Sequence, residues 1–248
     1  MTDAPRNTVL SVQHLAVAFG GRTIIRDLSF EVHQGDTLAV IGPNGCGKTV
    51  LLKALLGLIP YEGSIAWSPG MRLGYVPQKI AADRQMPLLV RDLLHAKARF
   101  LKLPPDEVDL VAKEVGLTAE LLEAGIGVIS GGQFQKALIA YALLGKPNVM
   151  LFDEPTASLD ELEEEHVYEL LEDLQTRRQL TILLVSHDLS LVYRRANVVL
   201  CLSKEKPCIG PPEEILTPEV LEAAYSKPLK YHFHLDQHAE DSASAKEE

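Results

Sequence analysis

The stretch "GPNGCGKT", residues 42–49, limits what this chain can fold into more than any other. It fits the pattern G-x-x-x-x-G-K-[ST], and its flanks narrow the choice further. Before it, "DTLAVIG" is a short unbroken apolar run, as expected of a parallel strand buried on both faces. After it, "KTVLLKALLGLI" is apolar nearly all round and reads as a buried helix. Strand, glycine loop and helix in that order make a cradle for an anion. Gly42, Gly45 and Gly47 let backbone N–H groups turn inward around phosphate oxygens with no Cβ in the way, and Pro43, Asn44 and Cys46 complete the loop. The helix N-terminus adds partial positive charge. Lys48 is expected to reach the β- and γ-phosphates of a bound nucleotide, and Thr49 to ligate Mg2+.

The remaining pattern places that loop in an α/β fold. "TVLSVQHLAVAFG" and "TIIRDLSFEVHQG" alternate apolar and polar residues and end in turn glycines, as strands of an antiparallel β subdomain. "SIAW" and "RLGYVPQ" read as further short strands. From about 79 to 145 the periods are helical, with Pro104 and Pro105 breaking the first pair, which predicts a helical subdomain inserted into the α/β core. Strand patterns resume with "NVMLFDE", "LTILLVS" and "NVVLCL". Between them, residues 160–178 are amphipathic, with Val167, Leu170, Leu171 and Leu174 on one face. Asp160 with Glu163 suits the N-terminal cap of that helix, and Arg177 with Arg178 suits its C-terminal end. The α/β domain with its helical insertion is expected over residues 8–226, followed by a disordered tail over 227–248.

Composition excludes several classes. With 248 residues, 46% of them hydrophobic, the chain can bury a full core. No apolar run reaches the roughly 18–20 residues of a membrane span, and the start, "MTDAPRNTVL", does not read as a signal peptide. The three cysteines, Cys46, Cys201 and Cys208, lack metal-type spacing and fit a reducing cytoplasm. A formal net charge of −10 argues against broad nonspecific binding to nucleic acid or to an anionic bilayer.

Three further stretches carry chemistry. In "VMLFDE", Asp153 emerges at the carboxyl end of a buried strand, where a parallel sheet binds its ligand. Asp153 would hold Mg2+, and Glu154 would polarise the attacking water as general base. "LLVSHD" puts His187 at the end of another buried strand, either to sense the γ-phosphate or as a satisfied strand-end histidine. Gln78, closing "YVPQ", would touch Mg2+ or water, or simply end its strand. Far from the first loop, "ISGGQFQ" at 129–135 opens a helix with a second glycine pair, a second anion cradle in one chain.

Taken together, "GPNGCGKT", "YVPQ", "ISGGQ", "LFDEP", "SLD" and "SHD" resemble, in order, the Walker A, Q-loop, signature, Walker B, D-loop and switch-histidine motifs of ABC transporter nucleotide-binding subunits. The resemblance implies a P-loop NTPase of the ABC type that hydrolyses Mg-ATP. It also accounts for the second cradle. Two copies would sandwich two ATPs head to tail, with Ser130, Gly131, Gly132 and Gln133 of one copy facing the nucleotide held by the other. Ser158 and Asp160 would cross the same interface, and Phe19 would stack on adenine. Lys48, Glu154 and His187 would carry hydrolysis, and Thr49, Gln78 and Asp153 the Mg2+. Lys136 and Tyr141 stand where the family commonly has arginines. Cys46 replaces a more usual small loop residue.

With one such domain, the resemblance implies a homodimer docked on two integral-membrane permease subunits at the cytoplasmic face of the membrane. An extracytoplasmic solute-binding protein completes such systems, and no nucleic acid is involved. The docking groove would lie near residues 78–99. "LGYVPQK", "MPLLVRDLL", "VSHDLSLVYRRANVVLCL" and "GPPEEILTPEVLEAAY" resemble the ATPase subunits of zinc/manganese-type uptake systems. In the tail, His232, His234, Asp236 and His238 alternate as zinc or manganese ligands could, or form a solvated polar end. ATPases for another solute, or for cluster assembly, share the same core motifs.

Overall fold

Two kinds of strand build two sheets. The computed structural model describes residues 7–78, 87–157, 159–203 and 207–225. β1 (Thr8–Phe19) and β2 (Arg22–His33) interleave buried with solvent-facing side chains and pair antiparallel. β3 (Thr37–Ile41) is buried throughout. Its Leu38 and Val40 join the core beneath β1 and β2, whereas Ala39 and Ile41 enter a separate core on the other face. A strand covered on both faces has no reason to alternate, hence the unbroken apolar run. α1 (Lys48–Leu55) follows the glycine loop, and β4 (Glu62–Trp67) returns to pair with β1. The first sheet therefore has the order β2-β1-β4.

α1 stops short of the apolar run 48–59. Gly57 takes a left-handed φ of 68°, and Leu58 beyond it is exposed rather than buried. β5 (Leu73–Val76) likewise ends before Pro77, which has no N–H for a ladder. Between it and the next strand lie α2 (Val90–Phe100), α3 (Glu107–Glu114), α4 (Ala119–Leu122) and α5 (Gly131–Leu143). Pro104 and Pro105 separate α2 from α3, as their inability to continue a helix dictates.

β6 (Val149–Asp153), α6 (Glu161–Arg178), β7 (Thr181–Val185), α7 (Leu189–Arg195) and β8 (Val198–Cys201) complete the α/β alternation. β9 (Cys208–Gly210), α8 (Pro212–Ile215) and α9 (Pro218–Tyr225) follow, elements the sequence pattern does not announce. Among the described residues the second sheet has the order β5-β6-β7-β3-β8-β9, parallel except for the antiparallel edge strand β9. In β6 and β7, Val149, Leu151, Leu183 and Val185 face the core shared with α1. Met150, Phe152, Ile182 and Leu184 face the core of the helices. α6 covers that side with Val167, Leu171 and Leu174 buried and Leu170 packed at the margin. The carboxyl ends of β3, β6 and β7, adjacent in the sheet, thus open on one edge. Ser158 and the tail residues His232, His234, Asp236 and His238 lie outside the described residues.

Candidate active site

Each strand end delivers one part of the site. β3 launches the loop. Gly42 sits at φ 140°, and a Cβ there would lie 2.2 Å from the Leu202 carbonyl oxygen and 2.9 Å from Cys46 Sγ. Only glycine tolerates that approach. Gly47, at φ 112°, is pressed against Ile24 of β2, so the β1–β2 hairpin supports the loop from above. The Gly42 N–H donates to the Tyr225 hydroxyl on α9 at 3.1 Å. Cys46 is buried, a small side chain packed inside the loop. A cleft of ≈ 630 Å³ runs beside it, walled by Gly45, Cys46, Arg22 and Leu202.

Lys48 is buried, and its ammonium donates to the carbonyls of Gly42 (2.9 Å) and Pro43 (3.4 Å). The Thr49 hydroxyl donates to Asp153 Oδ1 at 3.1 Å, tying the first turn of α1 to the end of β6. Asp153 is buried, and desolvation raises its carboxyl above the ordinary range, with the Thr49 hydrogen bond opposing. Tyr75 on β5 faces the same carboxylate. Burial first, then the charge and hydrogen bond of Asp153, push its phenol up to about 12.

Glu154 lies at the centre. Its backbone takes a left-handed φ of 49°, rare for a side chain with a Cβ, while its N–H donates to the Val185 carbonyl at 3.1 Å. That turn aims the carboxylate at three groups. Gln78 donates its amide to one oxygen, His187 Nε2 pairs with the other, and Lys48 Nζ stands 4.0 Å away. Residues from three separate segments, as distant in sequence as 48 and 187, therefore converge on one carboxylate. The oxygens of Thr49, Asp153 and Gln78 are hard donors of the kind Mg2+ takes, and the first two are already in hydrogen-bond contact.

The second glycine pair forms its own structure. Ser130 caps α5 in a reciprocal box, its hydroxyl accepting from Gln133 N–H (3.2 Å) and its N–H donating to Gln133 Oε1 (2.9 Å). The Ser130 hydroxyl in turn donates to Glu163 Oε1 at 2.9 Å. Asp160 caps α6 by accepting from Glu163 N–H at 2.8 Å. So Glu163 takes part in that cap through its backbone alone, and its carboxylate crosses to α5. Phe19 is half-exposed at the β1–β2 turn, opposite Arg22. Tyr141 is not without a cation: Lys97 of α2 sits 4.2 Å above its ring. Tyr75, Tyr225 and the contact of the Glu163 carboxylate with Ser130 escape sequence reasoning, because no spacing marks a contact made across the fold.

The family model for ABC transporters matches residues 25–157. The chain is 39% identical to the zinc import ATP-binding protein ZnuC of Cereibacter sphaeroides over 213 residues, covering 84% of each. It is 38% identical to ZnuC of Yersinia enterocolitica, covering 85% of this chain and 82% of that one. Among solved structures, a metal-chelate type ABC transporter in an inward-facing conformation superposes with a TM-score of 0.81 at 31% identity, covering 90% of both chains. The cbiO1 protein of Clostridium perfringens, part of the transporter complex cbiONQ, gives 0.74 at 25% identity, covering 88% of this chain and 94% of that one.

Proposed function

From the premise that the chain belongs to the ABC transporter family and is an ATPase of that type, we propose that it powers a zinc importer. Its relatives at 37–39% identity are named for zinc import, which favours zinc over manganese. The observation that carries the chemistry is the convergence of Lys48, Gln78 and His187 on Glu154.

In this reading the loop 42–49 binds the phosphates of ATP, and Lys48 turns from the Gly42 carbonyl to the β- and γ-phosphates. Thr49, Asp153 and Gln78 would hold Mg2+, which supplies charge neutralisation on the phosphates when bound. Glu154 orients and deprotonates the attacking water, and His187 fixes the carboxylate and the γ-phosphate. Phe19 stacks on adenine. Ser130 with residues 131–133 caps the γ-phosphate held by a second copy, and Ser158 and Asp160 line that interface. Two such chains would dock on two membrane permease subunits at the cytoplasmic face, through a groove near residues 78–99. No helix among the described residues is long and apolar enough to cross a membrane itself. A binding protein on the other side would deliver the metal.

The test is metal uptake by source cells lacking this protein, grown in metal-depleted medium. Cell zinc, manganese and iron are quantified by mass spectrometry, with wild type or Lys48→Ala supplied back. Zinc is expected to fall, and to recover with wild type alone. Loss of manganese instead would reassign the substrate, and unchanged metals would discard metal import while leaving the ATPase.

A further inference from the structure

The Ser130 hydroxyl has a single proton, and in this fold it is given to Glu163 Oε1 at 2.9 Å. The oxygen of the same hydroxyl is engaged by the Gln133 N–H. The Glu163 carboxylate also covers Gly132, where a Cβ would lie 3.0 Å from both Glu163 Cδ and Oε1. A carboxylate therefore rests against the first turn of α5, where backbone N–H groups and the helix dipole favour an anion. Its neighbour Glu164 is turned away toward Thr156, so this position is specific to Glu163.

We infer that Glu163 gates the ATP-driven pairing of two chains, because it holds the serine and the anion position that a second chain's γ-phosphate must take. The inference rests on residues 130–133 being that cradle. A γ-phosphate oxygen accepts the Ser130 proton only after Glu163 releases it. Until then, two anions would face each other across a few ångströms. Glu163 is held at its backbone by Asp160, the residue placed at the chain–chain interface, so release and closure involve the same turn. Before closure the carboxylate lies against the first turn of α5 and holds the Ser130 proton. Its release raises the ATP concentration that closure requires.

The experiment titrates ATP against full-length Glu154→Gln protein, which is expected to bind ATP with little turnover, and reads the dimer fraction by sedimentation. Glu163→Gln and Glu163→Ala are added singly, with Glu161→Gln as the control. Glu161 carries the same charge in the same turn of α6 but does not touch Ser130. Each Glu163 variant is expected to lower the half-saturating ATP about three- to tenfold, the net scale of one solvent-accessible hydrogen bond. Glu161→Gln should stay within about twofold, as an exposed charge does. An unchanged midpoint in the Glu163 variants, or an equal shift in Glu161→Gln, would overturn the gate while leaving the dimer intact. Absence of any ATP-dependent dimer in Glu154→Gln itself would overturn the cradle reading, and the gate with it.

Discussion

Glu154 spends backbone strain to point one carboxylate, and the expected consequence is a sharp split between binding and turnover. Glu154→Gln keeps the shape and the hydrogen bond from Gln78 but cannot take a proton. It should bind ATP near the wild-type level and lose roughly 10²–10⁴-fold in hydrolysis, read by nucleotide binding alongside phosphate release. Tyr225 acts at one remove, through the Gly42 N–H. Tyr225→Phe should raise KM for ATP about three- to tenfold with little change in kcat, since it loosens the loop and not the attack on phosphorus. The thiols offer a pH test. Burial pushes Cys201 up to about 12 and raises Cys208 in the same direction. At pH 8 roughly one Cys201 in ten thousand is then ionised, and the thiolate is the nucleophile. Iodoacetamide labelling followed by mass spectrometry should find Cys201 unmodified in folded protein, labelling only as the pH rises toward 12 or the chain unfolds. Rapid labelling of Cys201 at pH 8 in folded protein would contradict its burial.

At the scale of elements, the site is positioned by strand ends, and its parts are legible to different degrees for that reason. Asp153 and His187 can be read from the sequence because each closes an apolar run whose length and composition already demand a buried strand. The glycine loop is legible for the same reason. The partners Tyr75, Tyr225 and Glu163 are not, because each is defined by a neighbour in space: β5 beside β6, α9 beneath β3, α6 against α5. The end of α1 at Leu55 was set by Gly57 and not by hydropathy, so an apolar count overshoots it. One tie between elements is measurable. Arg178 near the end of α6 grips Glu114 of α3 with two nitrogens, Nε to Oε1 at 2.7 Å and Nη2 to Oε2, both side chains largely buried. Glu114→Ala leaves that guanidinium without its partner and should cost about 1–3 kcal/mol, lowering Tm by several degrees in calorimetry. ATP affinity should be spared, because no residue of the loop touches this pair.

For the whole molecule, the arrangement makes a claim about stoichiometry. If the loop 42–49 and the cradle at 130–133 served the same nucleotide within one chain, a chain defective in either would stay defective in any mixture. If they serve nucleotides held between two chains, defects in different parts complement. Lys48→Ala removes the buried ammonium of the loop but leaves Ser130 in its cap; Ser130→Ala does the reverse. Each variant alone should be nearly inactive. In a mixed pair one site combines the intact loop of the Ser130→Ala chain with the intact cradle of the Lys48→Ala chain, and the other site carries both defects. Random pairing of equal amounts makes half of the dimers mixed, each with one sound site of two. With the two sites of a dimer turning over independently, activity should then recover to about a quarter of wild type. The reading is phosphate release during titration of one inactive variant into the other, with a maximum at equal amounts. A flat line at the background of the separate variants would place both cradles on one nucleotide. It would then fall to Glu163, already bonded to Ser130, to explain what that second glycine pair holds.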